Sequence, residues 1–123
     1  MSNEAANILY GMEIEMVTKI FDKLENKYGD DFGWYRVSSE MDSFVSEAYR
    51  EIKQDHPLFG LKLSCLAKCE GNDDVLYLTE YGQFVVIHLT YSENNIPGYP
   101  RYKLLDTHQE LNEYLEQDVM SKF

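Results

Sequence analysis

The sequence predicts a single α+β domain, residues 1–123, in which N-terminal and C-terminal helices pack on an antiparallel meander of three to five strands. Three observations predict it. Apolar residues recur every three or four positions near both ends of the chain, which is typical of amphipathic helices. In the middle they alternate or run together, which is typical of strands. The turns between those strands are short, and short turns join antiparallel neighbours.

Two helices are predicted in the first half of the chain. The first runs from about Asn7 to Tyr28, where large apolar side chains recur on one face. The second begins after Ser39, an N-cap candidate. It ends before Pro57, because the residue ahead of a proline avoids the helical region. His56 would then lie at the helix end, where its charge favours the helix dipole.

The middle of the chain predicts the sheet. The expected strands are a short edge strand at 33–37, longer strands at 61–68, 74–79 and 84–91, and a short strand at 101–105. The strand at 84–91 is the most apolar, which indicates a central strand covered on both faces. A capping box of Thr107 and Glu110 then opens the last helix. His108, in its first turn, is expected to be solvated.

Composition excludes several classes of protein. Hydrophobic residues make up 44% of the chain, too many for a disordered protein. The net charge of −11 opposes binding to nucleic acid or anionic membranes and favours a basic partner, although solubility alone explains such a charge equally well. No apolar run approaches the ~20 residues of a membrane span. The N-terminus resembles neither a signal nor a transit peptide, so we expect a cytoplasmic protein.

The two cysteines, Cys65 and Cys69, are predicted to lie on one face of a strand. At ~3.3 Å per residue they would be about 13 Å apart. A disulfide needs Cα atoms within about 7 Å, so the two are not expected to pair. Their spacing is that of neither a zinc site nor a redox motif. Reduced, partly buried thiols agree with a reducing compartment.

The sequence contains no GxSxG, GxxxxGK[ST] or GxGxxG motif, so it indicates no known catalytic or nucleotide-binding frame. His88 is the most interesting titratable residue. It either binds a ligand or responds to pH, or it is a sheet histidine satisfied by a neighbour. Asp73 and Asp74 follow a turn but provide too few ligands for a divalent cation. We therefore expect no metal and no cofactor.

The polar loop at 92–102 is the best candidate for a contact surface. It is long, contains two prolines, and carries Tyr99, Arg101 and Tyr102. Loops on a rigid sheet often carry recognition, and tyrosine and arginine are favoured at interface hot spots. The alternative is a connecting loop whose tyrosines pack back on the sheet.

Two stretches resemble a family of small bacterial proteins of unassigned function. They read AKCEGNDDVL at 67–76 and VIHLTYS at 86–92, and YPR follows at 99–101. In that family a GNDDVL turn precedes an aliphatic VHLTWS or VHLTYS strand and then a proline loop. The resemblance covers residues 57–115. If the pattern marks a shared site, the resemblance implies that the site involves Asp73, Asp74, His88, Thr90 and Ser92.

Three functions follow as hypotheses. The first is a non-enzymatic protein-binding module, an acidic immunity or inhibitor protein steered onto a basic partner. Its candidate binding residues are Asp73, Asp74, His88, Thr90, Ser92, Tyr99, Arg101 and Tyr102. The second is a small metal-dependent or hydrolytic enzyme in which Asp73, Asp74 and His88 converge. The third is a self-associating accessory protein that forms a homodimer through the edge strand at Trp34–Val37.

Overall fold

A computed structural model describes residues 3–37 and 43–123. They form an α+β fold with a five-stranded antiparallel sheet, as predicted. The helices are α1 (Asn3–Tyr28), a short 3-10 helix (Gly29–Asp31), α2 (Ser43–Glu51) and α3 (His108–Met120). The strands are β1 (Trp34–Arg36), β2 (Leu63–Cys69), β3 (Asp74–Thr79), β4 (Phe84–His88) and β5 (Tyr102–Leu105). Ser39, the predicted N-cap, lies outside the described residues. Of the helices described, none is long and apolar enough to cross a membrane.

The sheet is a meander in chain order, β1-β2-β3-β4-β5, with every neighbouring pair antiparallel. Strand β4 has a neighbour on each side, and the run Phe84–Ile87 is buried, so it is covered on both faces as expected. The middle strand of the five is β3 rather than β4. Strand β4 also ends at His88, three residues before the predicted end at Tyr91.

The chain divides into two compact units, and the first contains Met1–Gly33 and Asp106–Phe123. Here α1 packs against α3 through buried aliphatic and aromatic side chains. Glu116 of α3 accepts hydrogen bonds from Lys27 Nζ and the Tyr28 hydroxyl, both at 2.9 Å. His108 Nε2 lies 2.7 Å from Glu13 Oε2. His108 is partly solvated, with 40% of its side chain exposed, and it also pairs with α1.

The second unit, Trp34–Leu105, contains the sheet and α2. Helix α2 lies against one sheet face, which we call the α2 face. The core there is formed by Val37, Ala48, Ile52, Leu58, Leu63, Cys65, Val75, Tyr77, Val85, Ile87 and Leu89. The Tyr77 hydroxyl donates to the Phe44 carbonyl at 2.7 Å, which joins the sheet to α2. Burial raises the pKa of that hydroxyl well above its ordinary value.

An irregularity in β2 changes which faces the cysteines occupy. Cys65 pairs with Tyr77, but Ala67 pairs with Leu76, so two steps along β2 match one step along β3. This bulge reverses the alternation of side chains. Cys65 therefore lies on the α2 face and Cys69 on the opposite one, and the prediction that they share a face is wrong. Burial raises the pKa of the Cys65 thiol to about 11, so it remains protonated at neutral pH.

Candidate functional site

The loop after β4 is held by a buried carboxylate. Glu51, the last residue of α2, is only 1% exposed. Its Oε1 accepts hydrogen bonds from the Thr90 backbone N–H and the Thr90 hydroxyl, each at 2.8 Å. Its Oε2 accepts the Tyr91 N–H at 3.0 Å, and Asn95 Nδ2 donates to Oε1 at 3.4 Å. One carboxylate thus joins the end of α2 to three residues of the loop.

These hydrogen bonds explain why β4 stops at His88. The backbone N–H groups of Thr90 and Tyr91 turn towards Glu51 instead of a neighbouring strand. Tyr91 has a φ of 55°, in the left-handed region that a tyrosine adopts only when its surroundings hold it there. The Glu51 side chain, 40 residues earlier in the chain, therefore determines the direction of the Thr90 and Tyr91 N–H groups and the φ angle of Tyr91.

The Glu51 carboxylate stays charged in this position. Burial opposes its ionisation, but the hydrogen bonds donated by Thr90 and Tyr91 outweigh that effect and hold the pKa of Glu51 below its ordinary value. Charge-assisted hydrogen bonds are stronger than neutral ones. The loop is therefore held at neutral pH by an ionised group.

The other end of the loop is held by a buried histidine. His56 is 7% exposed, and its Nε2 donates to the Pro100 carbonyl at 2.9 Å. Its Nδ1 accepts the Leu58 N–H at 3.1 Å. These two partners require a neutral ring with its proton on Nε2. The prediction that His56 acts on the helix dipole is wrong, because α2 already ends at Glu51.

The loop presents Tyr91, which is 51% exposed, beside several acids. Partial burial, then the charges of Asp73, Glu47 and Glu51, raise the pKa of the Tyr91 hydroxyl above its ordinary value. Tyr35 of β1, 40% exposed, lies close enough to contribute to the same shift. We call Tyr35, Glu47, Asp73 and Tyr91 the Tyr91 surface.

The sheet register places Tyr35 and Asp73 relative to the α2 face. Tyr35 pairs with Lys68, which pairs with Val75, so all three point to the α2 face. Asp73 lies just before β3, and its carbonyl accepts the Leu89 N–H at 3.0 Å. Tyr91 lies two residues after Leu89 in the chain. The Tyr91 surface is therefore built where the ends of several strands meet α2.

Asp74 and His88 form a separate cluster. They are direct cross-strand neighbours on β3 and β4, on the face opposite α2. His88 Nδ1 lies 2.7 Å from Asp74 Oδ1, and the His88 side chain is 52% exposed. A carboxylate at one ring nitrogen fixes the ring and suits the other nitrogen to accept a proton. Asp73, the third residue of the enzymatic hypothesis, lies with Tyr91 instead.

The remaining predicted binding residues follow the loop into β5. The Ser92 N–H donates to Thr90 Oγ1 at 3.1 Å. Arg101 Nη2 donates to the Tyr99 hydroxyl at 3.0 Å, and its guanidinium lies 5.1 Å from the ring centre. The Tyr102 ring lies 5.3 Å from the His56 ring. Tyr99 and Tyr102 thus make contacts within the protein, whereas Tyr91 is the more exposed.

In the part of the chain that the structure covers, neither a metal-binding cluster nor the cavity described below coincides with the predicted binding residues. Across residues 3–37 and 43–123, no group of three or more His, Cys, Asp or Glu side chains could hold a metal ion. An open cavity of about 430 Å³ lies elsewhere in the second unit, with mostly apolar walls. It is lined by Tyr49, Ile52, Leu58, Phe59, Gly60, Leu61 and Lys62. The predicted binding residues lie outside this lining.

The sequence did not predict that Glu51 and His56 hold the loop. A signal for Glu51 exists in the helical spacing, because it lies three residues after the buried Ala48 and beside the buried Ile52. An acid at a buried position of a helix must find donors elsewhere in the chain. His56 gives no comparable signal, because its partner, Pro100, is 44 residues away.

Comparison with known proteins finds no match for this chain among family models, curated proteins or solved structures.

Proposed function

We propose that this protein is a non-enzymatic binding module, of the inhibitor or immunity type, that contacts a basic protein through the Tyr91 surface. The observation that carries the proposal is Tyr91, half exposed at a left-handed backbone position that the buried Glu51 holds. A side chain that is already ordered loses little entropy when it binds. Tyrosine also offers a large contact area with a polar tip, which suits it to an interface.

The charge of the surface selects the partner. The charges of Asp73 and Glu47 reach the Tyr91 hydroxyl, and the whole chain carries a net charge of −11. Arg50 already pairs with the Glu47 carboxylate, so a lysine or arginine of a partner would find the Asp73 carboxylate and an aromatic ring at one place. The overall field would also speed the encounter with a basic protein at low salt.

The Asp74–His88 pair favours a second candidate, a hydrolytic enzyme in which His88 is the general base. Its support is the 2.7 Å contact between His88 Nδ1 and Asp74 Oδ1, where β3 begins and β4 ends. The two candidates use different faces of the sheet. Substitutions at Tyr91 and at His88 therefore separate them.

The test compares four tagged baits in a pull-down from host lysate: the wild type, Tyr91→Ala, Tyr81→Ala and His88→Ala. Tyr81 is the matched control, because it is more exposed than Tyr91, at 74%, but lies in the turn between β3 and β4. We expect the wild type to capture a basic protein that salt elutes. With that protein purified, Tyr91→Ala should weaken binding by about tenfold or more.

The controls decide between the candidates. Tyr81→Ala and His88→Ala should bind the same protein as the wild type does. Capture that is equal for Tyr91→Ala and the wild type, or that resists salt, would show that the Tyr91 surface is not the contact. Loss of capture with His88→Ala alone would move the site to the opposite face of the sheet.

A further inference from the structure

Strand β5 is an open edge of the sheet with unusual charge. Residues 94–105 contain no acid and two cations, Arg101 and Lys103, in a chain with 22 acidic residues. Arg101, Tyr102, Lys103 and Leu104 are all exposed. Edge strands with free backbone groups are templates for another strand. The edge is therefore locally basic in a protein that is otherwise strongly acidic.

The register shows which backbone groups of β5 are free. The His88 N–H donates to the Arg101 carbonyl at 2.9 Å, so this pair is of the hydrogen-bonded type. Such pairs alternate along an antiparallel ladder. Lys103 and Leu105 therefore face β4, and the N–H and C=O groups of Tyr102 and Leu104 point away from the sheet. Within residues 3–37 and 43–123, no backbone group outside the sheet bonds to either residue.

The two sides of this edge differ in chemistry. Tyr102 pairs with Ile87 and Leu104 with Val85, so their side chains lie on the α2 face, where they are 37% and 39% exposed. Lys103 pairs with Val86 and points to the opposite face. A strand added here would meet apolar side chains on one face and cations on the other.

We infer that β5 binds an extended segment of a partner by strand addition, and that this segment alternates apolar and acidic residues. The backbone of the segment would bond to Tyr102 and Leu104, and its acids would lie beside Arg101 and Lys103. A second copy of this chain fits less well. Antiparallel pairing of β5 with itself through Tyr102 and Leu104 places Lys103 opposite Lys103, and like charges directly opposite are unfavourable.

The test follows backbone amides of the full-length protein by hydrogen exchange during titration with synthetic peptides. The probe is a peptide that alternates valine or threonine with glutamate. It has about seven residues, which is a usual strand length. Its control has lysine in place of each glutamate. We expect the glutamate peptide to slow exchange at Tyr102 and Leu104 and to leave Lys103 unchanged, since the Lys103 amide already faces β4.

Two variants check the assignment. Lys103→Glu should weaken binding of the glutamate peptide by about tenfold. Leu104→Pro removes one outward N–H but leaves the bonds to β4, so a folded variant should lose binding. If Leu104→Pro does not fold, Lys103→Glu still decides the question.

Three results would overturn the inference. The first is unchanged exchange at Tyr102 and Leu104 with the glutamate peptide, and the second is equal binding of the lysine peptide. The third is slowing of the same amides with protein concentration alone, which would identify a second copy as the occupant. Tyr91→Ala should leave peptide binding unchanged, so this test and the test of the Tyr91 surface fail independently.

Discussion

At the scale of single residues, Glu51 determines the shape of the loop. Its carboxylate accepts hydrogen bonds from Thr90, Tyr91 and Asn95, and all of them join the loop to the end of α2. Glu51→Gln keeps the shape of the side chain but replaces one acceptor oxygen by an NH₂ group. We expect a loss of about 1–3 kcal/mol in the free energy of unfolding, measured by urea denaturation.

The matched control is Glu93→Gln, an exposed acid of the same loop, which should change stability by less than about 0.5 kcal/mol. Hydrogen exchange at the Thr90 and Tyr91 amides should speed up in Glu51→Gln alone. Equal stability of the two variants would show that Glu51 does not hold the loop.

The pH dependence of this effect has a definite sign. The pKa of Glu51 is lower in the folded protein than the ordinary value of 4.5 that applies when it is unfolded. Its contribution is therefore complete above pH 4.5 and is lost as the pH falls through the folded pKa. The stability difference between the wild type and Glu51→Gln should be constant near neutrality and shrink in acid. A difference that persists at lower pH would contradict this account.

At the scale of elements, the start of α3 is a capped helix end. Thr107 Oγ1 accepts the Glu110 N–H at 3.0 Å, as the predicted capping box requires. Glu110 Oε2 accepts the Asp106 N–H at 2.8 Å rather than that of Thr107, a shift of one residue from the usual box. The N-cap bond itself follows the usual geometry, in which the side-chain oxygen accepts the N–H of the third helical residue.

We expect Thr107→Ala to lower the free energy of unfolding by about 1 kcal/mol, because the Glu110 N–H loses its acceptor. Thr107→Ser keeps the hydroxyl and is the control. Urea denaturation of both variants measures the difference. If alanine and serine give the same stability, the side-chain cap does not stabilise α3.

The elements also show what local sequence patterns predict and what they miss. Periods of two and of three to four predict the helices and, together with the short turns, an antiparallel meander of three to five strands, because these patterns depend on near neighbours. The bulge between Cys65 and Ala67 does not show in the pattern, because Leu66 and Ala67 are both apolar and both buried. The face of Cys69 could therefore not be predicted.

The candidate site was harder to predict than the fold, because it depends on contacts distant in sequence. His88 and Asp74 were both chosen from the sequence, and the sheet register brings them together. The aromatic ring of Tyr91, next to a β-branched residue, predicts that β4 extends to Tyr91. Only Glu51, 40 residues earlier, takes it out of the strand. Propensity is local, and such a contact overrides it.

At the scale of the whole molecule, charge is unevenly distributed. The Tyr91 surface contains Asp73 and Glu47, whereas the β5 edge contains Arg101 and Lys103 and no acid. The two proposed contacts therefore select partner segments of opposite charge. The net charge of −11 acts on every approach to the protein, but the local charge determines which segment binds where.

The same net charge predicts how salt changes stability. Eleven excess negative charges repel one another more strongly in the folded chain than in the expanded one. Raising NaCl from about 20 to about 500 mM shortens the screening length severalfold and should raise the urea midpoint. Exposed Glu15, Asp22 and Glu70 are suitable sites at which to remove charge. The triple variant Glu15→Gln, Asp22→Asn, Glu70→Gln reduces the excess negative charge from −11 to −8. Its urea midpoint should therefore rise less with salt. A midpoint that falls with salt would mean that ion pairs such as Lys27–Glu116 outweigh the repulsion.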